Sequence, residues 1–571
     1  MSVSVSVCKV CQGMARLYQV SIGKEAKLMR HTLRLRDDVC FASKFVAEAL
    51  CGRSLPSIGQ STALPPLTGY RELDEEPATT HSLAELLPSS RFFGCEDLCF
   101  SAIADDPMHC GIGELVLCRI GEHDPNAIIA AAMAGGAAGI LTEQLLPCPL
   151  PQCIVGNIDR ALASLATVRN ERPDQKLLTI GVLGASGKTS TCLMISALTT
   201  ASGLRTAYQC DLGSHEGVTA STPNTPKANG AALVEWLGEA VDCCSRVAVI
   251  EIDETEARHG SYDEINFDIL VVTQRDSSDS DFGPSALQAM IDRLTDAGIV
   301  VVNQTDSKSQ RLLDRHEIRF VTYGTQPDAD FAALPVRSDG GMTTLMIAAD
   351  QTSAVMETPL CGPAMARNFA AASAVGGMLG FTPEAIAQRM QRLRSIPGRG
   401  ERMSEFGKPI AVIESGGAVD RVRVSLMAAK EAGIGGRVWC VCTLDPNFDE
   451  STLASIGNAL ERHAHHTVLS AGSNDKQFLS RSHQLLDGVK QCASMRLVAN
   501  QEQAVRWAMA NAAPRDTVVI VLNSSSPSAA QERGEIEATK SLVEQCWADR
   551  EDAETSIEPG DASKIKLKLF P

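Results

Sequence analysis

The stretch TIGVLGASGKTSTCLMISALTTASG, Thr179 to Gly203, divides into three parts. The apolar, β-branched run ending at Leu183 reads as a buried strand. Gly184 to Gly187 reads as a tight loop, and Lys188 to about Ser202 as a helix closed by Gly203. Strand, loop and helix in that order make a phosphate-binding unit. Gly184 and Gly187 let backbone amides approach a polyphosphate, and Ala185 and Ser186 complete the loop. The helix start adds its positive dipole end, Lys188 a point charge, Thr189 a hydroxyl for magnesium and Ser190 a second hydroxyl. The general Walker pattern has glycine where this chain has Val182, so the match rests on the Gly-Lys-Thr triplet and its strand-to-helix context. The plainer reading is a glycine turn between strand and helix.

Working outward, Val247 to Ile252 reads as a core strand ending in a carboxylate, which places Glu251 to hold magnesium beside a γ-phosphate. A helix cap or a solvated acid is the bland alternative for Glu251. Phe267 to Thr273 and Val300 to Asn303 read as further buried strands, and Asp328 to Pro359 as an antiparallel insert. Beyond Pro397, five strand-like runs alternate with helices: Pro409 to Glu414, Arg437 to Leu444, Thr467 to Ser470, Met495 to Val498 and Thr517 to Leu522. Alternation at that spacing predicts a doubly wound parallel sheet.

With 571 residues the chain is too long for one core. Apolar residues at 44% and charged residues at 21% describe an ordinary soluble globular protein, and a net charge of −17 argues against nucleic acid or anionic membrane as a partner. Nineteen scattered cysteines read as reduced thiols of a cytoplasmic protein. No apolar run reaches the roughly 18 residues of a membrane helix.

Several of these motifs resemble the Mur ligase family. Gly184-Ala-Ser-Gly-Lys-Thr-Ser-Thr191 looks like its ATP loop, and Gly111 to Asp124 and Ala127 to Ile140 look like segments of its UDP-binding domain. Val300 to Asp306, Gly362 to Ala372 and Pro397-Gly-Arg-Gly-Glu401 fit its nucleotide-contact turn, its adenine-facing helix and its interdomain join. Those matches single out Asn303, Asn368 and Arg399 as nucleotide contacts. What the resemblance implies is a three-domain architecture with a central P-loop ATP-binding domain and a doubly wound, Rossmann-like C-terminal domain. The expected boundaries are a poorly ordered extension over 1–80, a UDP-substrate-like α/β domain over 81–175, the ATP domain over 176–395, the C-terminal domain over 396–548 and a charged tail over 549–571.

The implied activity is ATP-dependent joining of an amino acid to a UDP-muramyl-peptide carboxylate through an acyl phosphate, with Lys188 and Glu251 catalytic and ATP and Mg2+ as cofactors; oligomeric state stays open. The departures from the family are as informative. Asp105-Asp-Pro107 stands where relatives have Asp-Ser-Arg, Glu251 to Thr255 lacks a histidine, and Met290 falls where relatives carry a carbamylated lysine. Glu414-Ser-Gly-Gly417 replaces Asp-Tyr-Ala-His, and Asn523 to Ser526 replaces Gly-Lys-Gly-His-Glu. An alternative with the same fold is therefore a non-catalytic nucleotide-binding protein that serves as a regulator or partner in wall-precursor synthesis.

Overall fold

A computed structural model describes residues 81–555 apart from 123, 222–229, 275–283, 340, 361, 417–418, 433–434, 472–476, 491–493 and 523–527. Three sheets of four, eleven and six strands carry the chain, beside one two-stranded pair. In the first, Leu115–Cys118, Gly139–Thr142 and Gln152–Ile154 run parallel, and Arg91–Phe93 joins antiparallel. An alanine-rich helix, Pro125–Gly135, packs in this unit. It starts at Pro125, where Asp124 caps it, and ends at Gly135, because Gly136 turns left-handed at φ 76° and frees residues 139–142 to form a strand.

The eleven-stranded sheet is organised on Leu178–Leu183. Val247–Glu251 pairs parallel on one side and Phe267–Val272 parallel on the other. Strand alternation then sorts the side chains. Leu178, Ile180 and Val182 enter a core with the helix Lys188–Ala201 and the helix Pro363–Met378, while Leu177 and Leu183 enter the opposite one with Leu233, Leu237 and Leu287. Burial on both faces is why this strand is apolar throughout. The insert is antiparallel, as its alternation predicts, but it is no separate unit: Phe331–Asp339, Met342–Ala349 and Thr352–Thr358 extend the same sheet through the Tyr323 to Phe331 pairing.

The third sheet holds the five parallel strands that the sequence shows, plus one it hides. Arg399–Met403 pairs antiparallel with Ile410–Ser415 at the edge, and its Arg-Gly-Glu-Arg composition carries no strand signal. The last helix, Ala529–Thr555, continues past residue 549, where the sequence reading placed a charged tail; Val543, Cys546 and Trp547 pin it to the third sheet's core. That core also receives Leu212 from the middle sheet, fully buried with Ala411, Trp439 and Val518. The second and third units therefore share apolar contacts beside the phosphate loop.

Candidate active site

The phosphate-loop helix begins at Gly187 with φ 88° and no side-chain cap. Its first-turn amides therefore point out of the helix end with the dipole behind them. Gly187 is required twice over. Its φ is left-handed, and a Cβ there would lie 2.6 Å from Asn368 Oδ1. Ahead of it, the Ala185 and Ser186 amides donate to the Gln274 carbonyl at 3.1 and 3.3 Å, which ties the loop to the end of the neighbouring strand.

Thr189 lies in the first turn of the helix and is buried. Its hydroxyl donates to Glu251 Oε1 at 3.1 Å, and the Asp211 amide donates to Glu251 Oε2 at 3.0 Å. The bland alternative for Glu251 does not hold, since it caps no helix: Asp253 takes that role for Glu254–His259. Desolvation first and the Asp211 charge second push the Glu251 carboxyl up to about 7, while Lys188 pulls it down. A hydroxyl and a desolvated carboxylate are hard oxygen donors, and they fit a magnesium ion.

Across from this loop stands the C-terminal domain, and a cleft runs between them. Ser186, Gly187, Thr189 and Ser190 line one wall, and Arg399, Glu414, Arg421 and Ser425 the other. Arg367 and Asn368 from the long alanine-rich helix close the end. Arg399 is 5% exposed and donates to Glu532 at 2.9 Å and to the Ser415 carbonyl at 3.1 Å. Glu414 Oε2 accepts from the Gly400 amide at 2.9 Å and the Ser425 hydroxyl at 2.5 Å; burial raises its pKa.

Of the residues singled out from sequence, Gly184 to Ser190, Glu251, Asn368 and Arg399 gather at or beside this cleft. Asn303 does not line it. Its carboxamide oxygen accepts from the Thr305 amide and hydroxyl, at 2.9 and 2.8 Å, and so shapes the turn after its strand. It also bonds Tyr323, which does line the cleft and donates to the Val272 carbonyl at 3.0 Å. Met290 is 1% exposed in an apolar core, so the helix Pro284–Ile291 sends no lysine to the cleft from that position. Asp106 bonds the Met108 amide and His109 on the surface of the first unit. The substitution at 523–526 lies outside the described residues.

Sequence reasoning missed Asp211, Tyr323, Arg367 and Arg421. Arg367 was one residue from a noted position, and Asp211 closes the strand that follows the phosphate-loop helix. Arg421 carries no local signal, because only the meeting of two sheets brings it to the loop.

Fold and site together define a P-loop α/β protein whose nucleotide-type cleft is completed by a following domain. Residues 182–376 match the model of the Mur ligase middle domain. UDP-N-acetylmuramoyl-L-alanyl-D-glutamate--2,6-diaminopimelate ligase of Thermosynechococcus vestitus is 28% identical over 421 residues, covering 68% of this chain and 81% of the relative. MurF of Acinetobacter baumannii shares the fold at a TM-score of 0.58 and 15% identity, over 81% of this chain and 99% of that one. MurF ligase of Thermotoga maritima, solved in complex with ADP, does so at 0.56 and 15%, over 78% and 98%. Over most of its length the chain is similar to Mur ligases, and its middle part matches the model of their middle domain.

Proposed function

We propose that this protein is an ATP-dependent ligase that joins an amino acid to the carboxylate of a UDP-muramyl peptide, in the cytoplasm, as a step of peptidoglycan precursor synthesis. The observation that carries the reading is the uncapped helix start with Thr189 held against Glu251, facing an arginine-lined wall of the next domain. The relatives' names supply the substrate class, and the cleft supplies the chemistry.

In this reading the amides of Gly187 to Ser190 and Lys188 hold the β- and γ-phosphates. Asn368 and Arg399 flank the rest of the nucleotide, with Asn303 bracing Tyr323 behind it. Thr189 and Glu251 would hold magnesium, which when bound draws charge from the phosphates. An acceptor carboxylate oxygen attacks the γ-phosphorus, and the bond from that phosphorus to the bridging oxygen breaks, its electron pair leaving on ADP. The amine nitrogen then attacks the acyl carbon, inorganic phosphate departs, and the nitrogen loses a proton to solvent. Positioning and charge neutralisation are the main demands of the first step, and the cleft walls meet both.

Labelling the acceptor carboxylate with oxygen-18 tests this directly: the released phosphate carries one labelled oxygen if the acyl phosphate forms. Unlabelled phosphate contradicts it. The second reading, nucleotide binding without turnover, draws on the burial of Met290 where relatives carry lysine, and it predicts no phosphate release with any acceptor.

A further inference from the structure

The cleft wall opposite the phosphate loop holds a second arginine, Arg421, beside Arg399. Arg421 stands on the first turn of the helix Val419–Ala432, and one guanidinium nitrogen donates to the Ser415 carbonyl at 3.0 Å. The backbone makes way for it. Gly416 sits at φ 96°, and a Cβ there would fall 2.5 Å from Arg421 Nη1, so only glycine leaves the guanidinium its place.

The neighbouring charges are already engaged. Arg399 is paired with Glu532 at 2.9 Å, and Glu414 is occupied by the Gly400 amide and Ser425. Arg367 donates to Gln274 Oε1 at 2.5 Å, at the strand end to which the loop amides are tied. Arg421 lies within electrostatic reach of Glu414 first, then of Asp211 and Glu251, the acids next to Thr189. Burial first, then Arg399, lower its pKa, while Glu414, Asp211 and Glu251 act the other way.

We propose that Arg421 binds the γ-phosphoryl group of the nucleotide and follows it through transfer, an arginine supplied by the C-terminal domain to the loop of the middle one. The inference rests on the nucleotide reading of the cleft. Guanidinium is suited to this work because its fixed charge and paired donors match phosphate oxygens.

The test compares binding of magnesium-ADP and of magnesium with a methylene analogue of ATP by calorimetry, for the unaltered protein, Arg421→Gln and Arg421→Lys. Expected for Arg421→Gln is a loss of about tenfold or more for the triphosphate, with ADP held within about twofold, as for one charged hydrogen bond. Arg421→Lys recovers part of the triphosphate affinity. Equal losses for both nucleotides, or none, overturn the assignment while leaving the nucleotide reading standing. If the unaltered protein binds neither nucleotide, the nucleotide reading falls and this one with it. Should Arg421→Gln fold poorly, Arg421→Lys alone decides, by the ratio of its two affinities to that of the unaltered protein.

Discussion

The Thr189 hydroxyl lies 3.1 Å from Glu251 Oε1, joining the first turn of the phosphate-loop helix to the end of the strand beside it. That contact sets two hard oxygen donors side by side, and the carboxylate makes the pair sensitive to pH. With its carboxyl pushed up to about 7, Glu251 gives way to a proton below that value and is free for magnesium above it. Magnesium-dependent nucleotide affinity should rise by up to about tenfold per unit as pH approaches 7, then level off. Titration calorimetry from about pH 5.5 to 8.5 reads this; a flat profile would exclude Glu251 as the ligand.

For the metal-free protein the sign is opposite. The folded value of about 7 stands above the ordinary 4.5, so folding favours the protonated form and its contribution to stability falls as pH rises between the two. Glu251→Gln should therefore melt higher than the unaltered protein near pH 8 without magnesium, and should lose magnesium-dependent nucleotide binding. A lower melting temperature under those conditions counts against the burial argument.

Gly187→Ala should abolish nucleotide binding and cost about 1–3 kcal/mol of stability, since the φ of 88° is strained for alanine. Combining it with Asn368→Ala removes the clash at 2.6 Å but not the strain. The double variant should regain stability only in part, by thermal melts, and full recovery would mean that the backbone there is unstrained.

Much of this site is legible in the sequence because it is local. The strand to Leu183, the loop and the helix from Lys188 lie in one run, and hydrophobic period and glycine placement state each of them. Glu251 is legible because a carboxylate ends a buried strand. Arg421, Arg367 and Tyr323 are not, because long-range packing brings them to the loop. Asn303 is a different case: a motif match singles it out for the nucleotide, and in the structure its carboxamide oxygen shapes the turn after its strand. The edge strand at Arg399–Met403 escaped for a related reason, since pairing to Ile410–Ser415 rather than propensity forms it.

Leu212 tests how firmly the domains meet. It is fully buried in the C-terminal domain's core, one residue after the Asp211 amide that bonds Glu251. Leu212→Ala should cost about 2–5 kcal/mol and separate the unfolding of the two domains in a denaturant titration. A single unchanged transition would show that the contact is dispensable.

Breaking the buried pair should hurt more than its rim position suggests. Glu532→Gln leaves Arg399, with its side chain 6% exposed, without its carboxylate. About 3–5 kcal/mol should be lost, measured by chemical denaturation. A loss below about 1 kcal/mol would mean that the Ser415 carbonyl alone sustains the arginine.

The most direct measurement is ADP release by the purified full chain with magnesium-ATP, a UDP-muramyl dipeptide and a mixture of amino acids, with an active member of the family run alongside. Ligase chemistry predicts release that needs both the muramyl dipeptide and an amino acid, and that is lost in Lys188→Ala. Nucleotide binding with no release, while the relative turns over, would contradict it and leave a protein that keeps the cleft without the reaction.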